Sequence, residues 1–252
     1  MLDMNISLKK LCRRMGIFCV IVLSLFFSSC NSEEIPDMTS FSTEQAYREE
    51  PSGIVFIGDS NTAHLATYGL VDANNILTGS ESYMTLEPDV CNSFVVCKAS
   101  GKEMTVADAV AFLNPKYAVI SLGTDGALSL DREGVVLSFS GLIESIGKKA
   151  PDTVICLQTV PPVRQGSVGV RFHNVSYANQ KFLSVNNWIE AIAKARGCIF
   201  IDSASMLRDE YCCLKAEYNT AHLDGYHLNR EGLTVMLDSV YSALKHEGEL
   251  AK

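Results

Sequence analysis

The stretch that decides the fold is Ile-Val-Phe-Ile-Gly-Asp-Ser-Asn-Thr, residues 54–62. Its four leading apolar residues predict a strand that is buried on both faces, because a half-exposed strand would alternate apolar and polar residues. The Gly58-Asp59-Ser60 sequence that follows predicts a sharp turn. In an open α/β sheet the reactive groups lie beyond the carboxyl ends of the strands. Ser60 is therefore a candidate nucleophile.

The chain from residue 53 onward alternates between strand-like and helical patterns, which predicts a parallel sheet covered by helices on both faces. The predicted strands are Ile54–Ile57, Phe94–Cys97, Tyr117–Leu122, Thr153–Gln158 and Cys198–Ile201. The predicted helices are Val106–Leu113, Leu137–Ala150, Tyr177–Arg196 and Arg230–Lys245. No internal repeat marks a second domain. The long connections Gly69–Asn92 and Pro161–Ser176 are candidate walls of a substrate site.

The first 29 residues have the pattern of an export signal. Four basic residues (Lys9, Lys10, Arg13 and Arg14) precede an apolar run at residues 17–27, which is too short for a permanent transmembrane helix. Phe27-Ser28-Ser29-Cys30 resembles the lipobox of bacterial lipoproteins, which implies lipidation of Cys30 and an outer-membrane location, periplasmic or surface-exposed. An ordinary cleaved signal peptide and an uncleaved anchor are the alternatives. The polar residues 30–52 predict a flexible tether.

The charge balance argues against nucleic acid as a partner. The whole chain has 21 basic and 29 acidic residues, a formal net charge of −8. Removal of residues 1–29 takes away four basic residues and one acidic residue, which leaves −11. A chain this acidic is repelled by a phosphate backbone. Six cysteines follow Cys30, and their sequence does not fix a disulfide pairing.

A serine nucleophile needs a base within hydrogen-bonding distance, and the base needs a group that orients it. Asp224 and His227 lie in the loop before the last predicted helix, at a spacing that lets a carboxylate and an imidazole face the same way. A helix-capping aspartate beside a half-exposed histidine is the alternative without catalysis. A metal site formed by His222, Asp224 and His227 is another, although no further ligand cluster supports it.

Gly58-Asp59-Ser60 together with Asp224-Gly225-Tyr226-His227 resembles the first and last conserved blocks of the SGNH/GDSL hydrolases. The resemblance implies a three-layer α/β/α, flavodoxin-like fold for residues 53–252 with a parallel sheet of about five strands. It also implies cofactor-free ester hydrolysis, with Ser60 as nucleophile, His227 as general base and acid, and Asp224 as the residue that orients His227.

The resemblance further implies an oxyanion hole formed by the backbone N–H groups of Ser60 and Gly101 and by the side chain at position 125. The family carries an asparagine at that last position, and this chain carries Asp125. An amide donates hydrogen bonds, whereas an ionised carboxylate donates none and repels an oxyanion. Three alternatives follow: Asp125 is protonated and donates, it points away from the hole, or the site binds ligands without hydrolysing them.

The sequence therefore predicts an extracytoplasmic serine esterase that acts on a carbohydrate or another small ester, with acetyl removal as the first expectation. A lipoprotein with an impaired hydrolase site that only binds its ligand is the alternative from another class. An O-acyltransferase stands between the two. No metal and no cofactor is expected, and the sequence does not fix the oligomeric state.

Overall fold

A computed structural model describes residues 53–165, 174–220 and 224–250 of the chain. The predicted signal segment, Cys30 and the tether lie outside the described residues. The strands are β1 (Ile54–Gly58), β2 (Ile76–Leu77), β3 (Phe94–Cys97), β4 (Lys102–Thr105), β5 (Tyr117–Ser121), β6 (Val154–Gln158) and β7 (Ile199–Ile201). The α-helices are α1 (Ser60–Thr67), α2 (Val106–Leu113), α3 (Arg132–Lys149), α4 (Val175–Arg196), α5 (Ala204–Leu207) and α6 (Arg230–Leu250).

Five strands form one parallel sheet in the order β2-β1-β5-β6-β7. β1 pairs with β5 along its whole length, from Ile54 opposite Tyr117 to Gly58 opposite Ser121. All five of its residues are buried, as its unbroken apolar run predicts. The carboxyl ends of β1, β2 and β5 consequently lie at the same edge of the sheet, and the loops that follow these strands can build one site.

Helices cover both faces of the sheet, which confirms the predicted three-layer α/β/α architecture. The side chains of Val55 and Ile57 belong to the core on one face, which is formed with α2, α3 and α4. Ile54 and Phe56 belong to the core on the other face, which is formed largely with α6. This split follows from the two-residue period of a strand, since alternate side chains point to opposite faces.

The prediction that the five strands form one parallel sheet is wrong for Phe94–Cys97. Phe94–Cys97 is a strand, but it pairs antiparallel with β4 in a separate two-stranded hairpin. The edge of the main sheet is formed instead by Ile76–Leu77, inside the connection that the sequence analysis treats as a loop. Phe94 is exposed whereas Val95 is buried, an alternation that suits a hairpin with one solvent face. Two residues are too few to give a strand pattern of their own.

The local signals at helix ends explain the remaining differences in boundaries. α3 begins five residues earlier than predicted, because the Asp131 side chain caps it by accepting from the Gly134 N–H at 2.8 Å. α4 ends at Arg196, as predicted, and the Gly197 that caps it has a φ of +67°, which suits glycine. The six cysteines after Cys30 are free thiols in this structure. Among the described residues, no helix combines the length and the apolar character that a membrane span requires.

Candidate active site

Ser60 lies at the carboxyl edge of the sheet, where β1 ends and α1 begins. Gly58 makes the sharp turn possible, because a Cβ atom there would lie 2.1 Å from Thr62 Oγ1 and 2.3 Å from the Ser121 carbonyl oxygen. The Asp59 side chain caps α1 by accepting from the Asn61 N–H at 3.2 Å. Ser60 is thus the first residue of a helix whose start is fixed against the two central strands.

A chain of hydrogen bonds joins Ser60, His227 and Asp224. His227 Nε2 lies 2.8 Å from Ser60 Oγ, and His227 Nδ1 lies 2.5 Å from Asp224 Oδ2. An ionised carboxylate only accepts hydrogen bonds, so the His227 ring proton resides on Nδ1. His227 Nε2 is then the acceptor for the Ser60 hydroxyl proton. The structure brings together the three side chains that the sequence analysis names as nucleophile, base and orienting acid.

The other carboxylate oxygen of Asp224 holds the loop in shape. Asp224 Oδ1 accepts from the N–H of Tyr226 at 3.1 Å and from the N–H of His227 at 3.0 Å. Gly225 has a φ of +73°, which a residue with a side chain rarely adopts. Burial alone would raise the pKa of the Asp224 carboxyl, but these hydrogen bonds and the charge of His227 together lower its pKa below the ordinary value. Asp224 therefore remains a carboxylate at neutral pH.

Two aromatic rings contact the His227 imidazole. The ring centroid of His64, one turn after Ser60, lies 4.9 Å from that of His227, and the Tyr226 ring lies 4.3 Å away. Burial, and after it the charge of His227, lowers the pKa of the His64 imidazole. His64 is consequently neutral at pH 7 and adds no second positive charge beside His227. The sequence shows that His64 lies one turn after Ser60, but this spacing alone does not indicate that its ring contacts His227.

Two buried carboxyl groups lie in the loops that follow the central strands β1 and β5. Asp125 follows β5, and both Asp125 and Asp59 are 2 % exposed. Asp59 Oδ2 accepts from the Thr124 N–H at 3.2 Å, so the loop after β1 is tied to the loop after β5. Burial, and after it the charge of Asp125, raises the pKa of the Asp59 carboxyl to about 6, although hydrogen bonds from Asn61 and Thr124 act against this.

The prediction that Gly101 supplies an oxyanion donor is wrong. Gly101 lies in the turn between β3 and β4, outside the main sheet, and its N–H donates to the Cys97 carbonyl at 3.0 Å and to the Lys98 carbonyl at 3.1 Å. This error follows from the wrong assignment of Phe94–Cys97 to the main sheet. A glycine after that strand would have stood at the carboxyl edge only if the strand had belonged there.

Gly79 is the glycine that stands at the carboxyl edge next to β1. Leu77 pairs with Ile57, and Gly79 lies two residues beyond Leu77 just as Asp59 lies two residues beyond Ile57. A Cβ atom at Gly79 would lie 1.9 Å from the Tyr83 carbonyl oxygen, which leaves room for glycine alone. The sequence carried one weak signal for it: the apolar pair Ile76-Leu77 is followed, after Thr78, by a glycine.

The sequence analysis also singles out the connection Pro161–Ser176 and His222. Arg171, His173 and His222 lie outside the described residues. Arg164 contributes its backbone, since its N–H donates to the Gly225 carbonyl at 2.7 Å and braces the loop that carries His227. Within the described ranges, no group of three or more histidine, cysteine, aspartate and glutamate residues is arranged to hold a metal ion.

Comparisons with known proteins place the fold. No protein-family model matches the sequence, and no curated protein matches it in sequence. Its structure is similar to a GDSL-like lipase from Bacteroides thetaiotaomicron, with a TM-score of 0.53 and 20 % identity over 77 % of this chain and 88 % of that one. A candidate acylhydrolase from Bacteroides fragilis gives a TM-score of 0.53 and 20 % identity over 79 % and 92 % of the two chains.

The periplasmic domain of a lipopolysaccharide acetyltransferase from Salmonella Paratyphi A is also similar. It gives a TM-score of 0.51 and 14 % identity over 78 % of this chain and 85 % of that one. Together with the sheet order and the position of Ser60, these likenesses show that the chain has the α/β fold of the SGNH/GDSL hydrolases.

Proposed function

We propose that this protein is a serine ester hydrolase in which Ser60 forms an acyl-enzyme. The observation that carries the proposal is the continuous hydrogen-bond chain from Ser60 through His227 to Asp224 at the carboxyl edge of the sheet. Such a chain converts a weak hydroxyl nucleophile into a reactive one, because the imidazole takes the proton as the oxygen attacks. The likeness to solved structures supports the fold alone and is consistent with this chemistry.

The geometry gives each group one task. Ser60 Oγ attacks the ester carbonyl carbon while its proton passes to His227 Nε2, and the Asp224 carboxylate stabilises the imidazolium that forms. When the tetrahedral intermediate collapses, the leaving alcohol takes the proton back from His227 and the acyl group stays on Ser60. A water molecule then attacks the acyl carbon with His227 again as base, which releases the acid and restores the serine.

The developing oxyanion needs donors at the edge where β1 and β2 end. The backbone N–H groups of Ser60 and Gly79 are the donors that we propose, with Gly79 in place of Gly101. Asp125 occupies the third position, where a carboxylate opposes the negative charge of the intermediate. The proposal accordingly expects turnover that is slow for a serine esterase.

The substrate class and the location rest on sequence features outside the described residues. We propose a lipoprotein anchored through Cys30 that removes acetyl or similar small acyl groups from a carbohydrate outside the cytoplasm. The export pattern and the net charge of −11 after residue 29 support this proposal. Transfer of the acyl group to a sugar acceptor instead of water is the second candidate, because an acyl-Ser60 intermediate serves both reactions.

Hydrolysis of p-nitrophenyl acetate by the purified protein tests the proposal, with Ser60→Ala as the inactive variant. We expect kcat/KM to fall by at least about 10³-fold, as for removal of a triad nucleophile. Ser205→Ala is the matched control, because Ser205 is an exposed serine on α5. A fluorophosphonate probe should label the wild type and the control but not Ser60→Ala. Equal rates for wild type and Ser60→Ala would indicate a binding protein, and faster product formation with a sugar acceptor would indicate a transferase.

A further inference from the structure

Three of the buried asparagine side chains bind backbone groups through both the nitrogen and the oxygen of the amide, and one of these three differs from the other two. Asn186 pairs with the N–H and the carbonyl of Val160 at 2.8 and 3.0 Å, and Asn179 pairs in the same way with Val163 at 2.7 and 2.9 Å. The backbone hydrogen bonds of each of these two amides therefore go to a single residue. The Asn61 amide instead binds two different residues, Tyr226 and Leu228.

The Asn61 amide binds the residues on either side of His227. Asn61 Nδ2 donates to the Tyr226 carbonyl at 3.3 Å, and the Leu228 N–H donates to Asn61 Oδ1 at 3.0 Å. Asn61 is 2 % exposed, so both hydrogen bonds are shielded from water. The Asn61 side chain thus pairs with the backbone of residues 226–228, here called the His227 segment, in the way that a neighbouring strand would.

The opposite edge of the same segment is held separately. The His227 carbonyl accepts from Asn219 Nδ2 at 2.8 Å and from the Thr220 N–H at 3.2 Å. Residues 226–228 therefore have backbone hydrogen bonds on both edges, and those of Asn61 lead to the element that carries the nucleophile. Asn61 directly follows Ser60, and its own N–H is fixed by Asp59. The Asn61 hydrogen bonds thus connect the residue after Ser60 with the two neighbours of His227.

We propose that Asn61 is a positioning residue that sets the Ser60–His227 hydrogen bond by joining the start of α1 to both neighbours of His227. This proposal rests on the proposed function. Loss of the two amide contacts frees the His227 segment to move relative to Ser60, and a misplacement of about 1 Å between reacting groups costs on the order of 10²-fold in rate. Since the hydrogen bonds of the Asn61 amide go to backbone groups and not to the hydroxyl or the imidazole, it acts on kcat through geometry.

Kinetics of Asn61→Ala with p-nitrophenyl acetate, set against Asn186→Ala, test the proposal. Both variants lose two buried amide–backbone hydrogen bonds, so both should unfold at lower urea concentration. We expect kcat of Asn61→Ala to fall about 10²-fold with KM within about twofold, whereas kcat of Asn186→Ala stays within about threefold of wild type. Asn61→Asp keeps the acceptor for Leu228 and should lose about tenfold, which provides a milder variant if Asn61→Ala does not fold.

A second readout does not depend on turnover. The short Nδ1–Oδ2 contact with Asp224 should give the His227 ring proton a far-downfield NMR signal in the wild type and in Asn186→Ala. In the Asn61 variants the signal should shift or broaden as the ring moves. An unchanged signal in both Asn61 variants, or a kcat loss no greater than that of Asn186→Ala, would overturn the proposal. If the wild type hydrolyses no ester, the proposed function fails while the NMR comparison still decides the role of Asn61.

Discussion

The two sides of Ser60 differ in how their charges are balanced. On the side of His227, the Asp224 carboxylate receives three hydrogen bonds and faces a ring that becomes positive, and its pKa is lowered. On the other side, in the loops that follow β1 and β5, Asp59 and Asp125 are both buried, and the pKa of Asp59 is raised to about 6. The proton-transfer side therefore suits the proposed reaction, whereas the other side holds two buried carboxyl groups, one of them at the position that we propose for the third oxyanion contact. Proton transfer and oxyanion binding can therefore be tested separately.

Asp125→Asn gives the largest expected effect on the oxyanion side. The substitution removes a charge that opposes the intermediate and supplies an amide donor, so we expect kcat to rise by about 10²- to 10³-fold. Steady-state hydrolysis of p-nitrophenyl acetate measures this. Asp152→Asn is the control, because Asp152 is exposed and precedes β6, whereas the site lies beyond the carboxyl ends of the strands. A fall in kcat would instead mean that Asp125 donates as a protonated acid, and the contrast between the two sides would disappear.

The buried charge at Asp59 should appear in the stability of the protein. Its pKa is about 6 in the folded state against an ordinary value of 3.8, so the folded state binds the proton more tightly. The resulting stabilisation is complete below about pH 4 and is lost as pH rises through about 6, by roughly 3 kcal/mol in the free energy of unfolding. Urea unfolding of wild type and Asp59→Asn from pH 4 to pH 7 measures the difference.

Asp59→Asn should lack this loss between pH 4 and pH 6. Asp224 has a lowered pKa and acts in the opposite direction, since its stabilisation is lost as pH falls through its folded-state pKa. That contribution is present in both proteins, so the difference between their pH profiles isolates Asp59. Parallel profiles would show that burial and Asp125 do not raise the pKa of Asp59, and the contrast between the two sides of Ser60 would then be lost.

The sequence contained most of the proton-transfer side and little of the oxyanion side, for a physical reason. Ser60 follows a continuous apolar strand, and Asp224 and His227 are three residues apart, so each signal is local. The identity of the glycine donor depends on which segments pair in the main sheet. Pairing is a long-range property, and a strand of two residues such as Ile76–Leu77 leaves no period to detect.

The role of Asn61 could not be inferred from the sequence for a similar reason. A polar residue in the first turn of a helix is equally compatible with capping, and the sequence analysis has no means of pairing it with a loop 165 residues away. The three-layer architecture was accessible, because it needs only the alternation of strand and helix patterns. The hydrogen bonds that align the site depend on the packed structure.

Gly101→Ala gives the smallest expected effect and tests the corrected oxyanion side. Gly101 has a φ of +69°, and a Cβ atom there would meet no atom within 4 Å, so the cost is backbone strain of about 1 kcal/mol in stability. Its N–H is committed to the hairpin turn, so kcat for p-nitrophenyl acetate should stay within about twofold of wild type.

Gly79→Ala is the variant with which the small expected change in kcat of Gly101→Ala is compared. Its new methyl group would collide with the Tyr83 carbonyl and displace the backbone N–H that we propose as a donor. Because loss of one oxyanion donor costs on the order of 10²-fold, kcat should fall far more than for Gly101→Ala when rates are normalised to the fraction of fluorophosphonate-labelled enzyme. If Gly101→Ala were the more damaging change, the hairpin would have to contribute to the site, and the donor would be Gly101 after all.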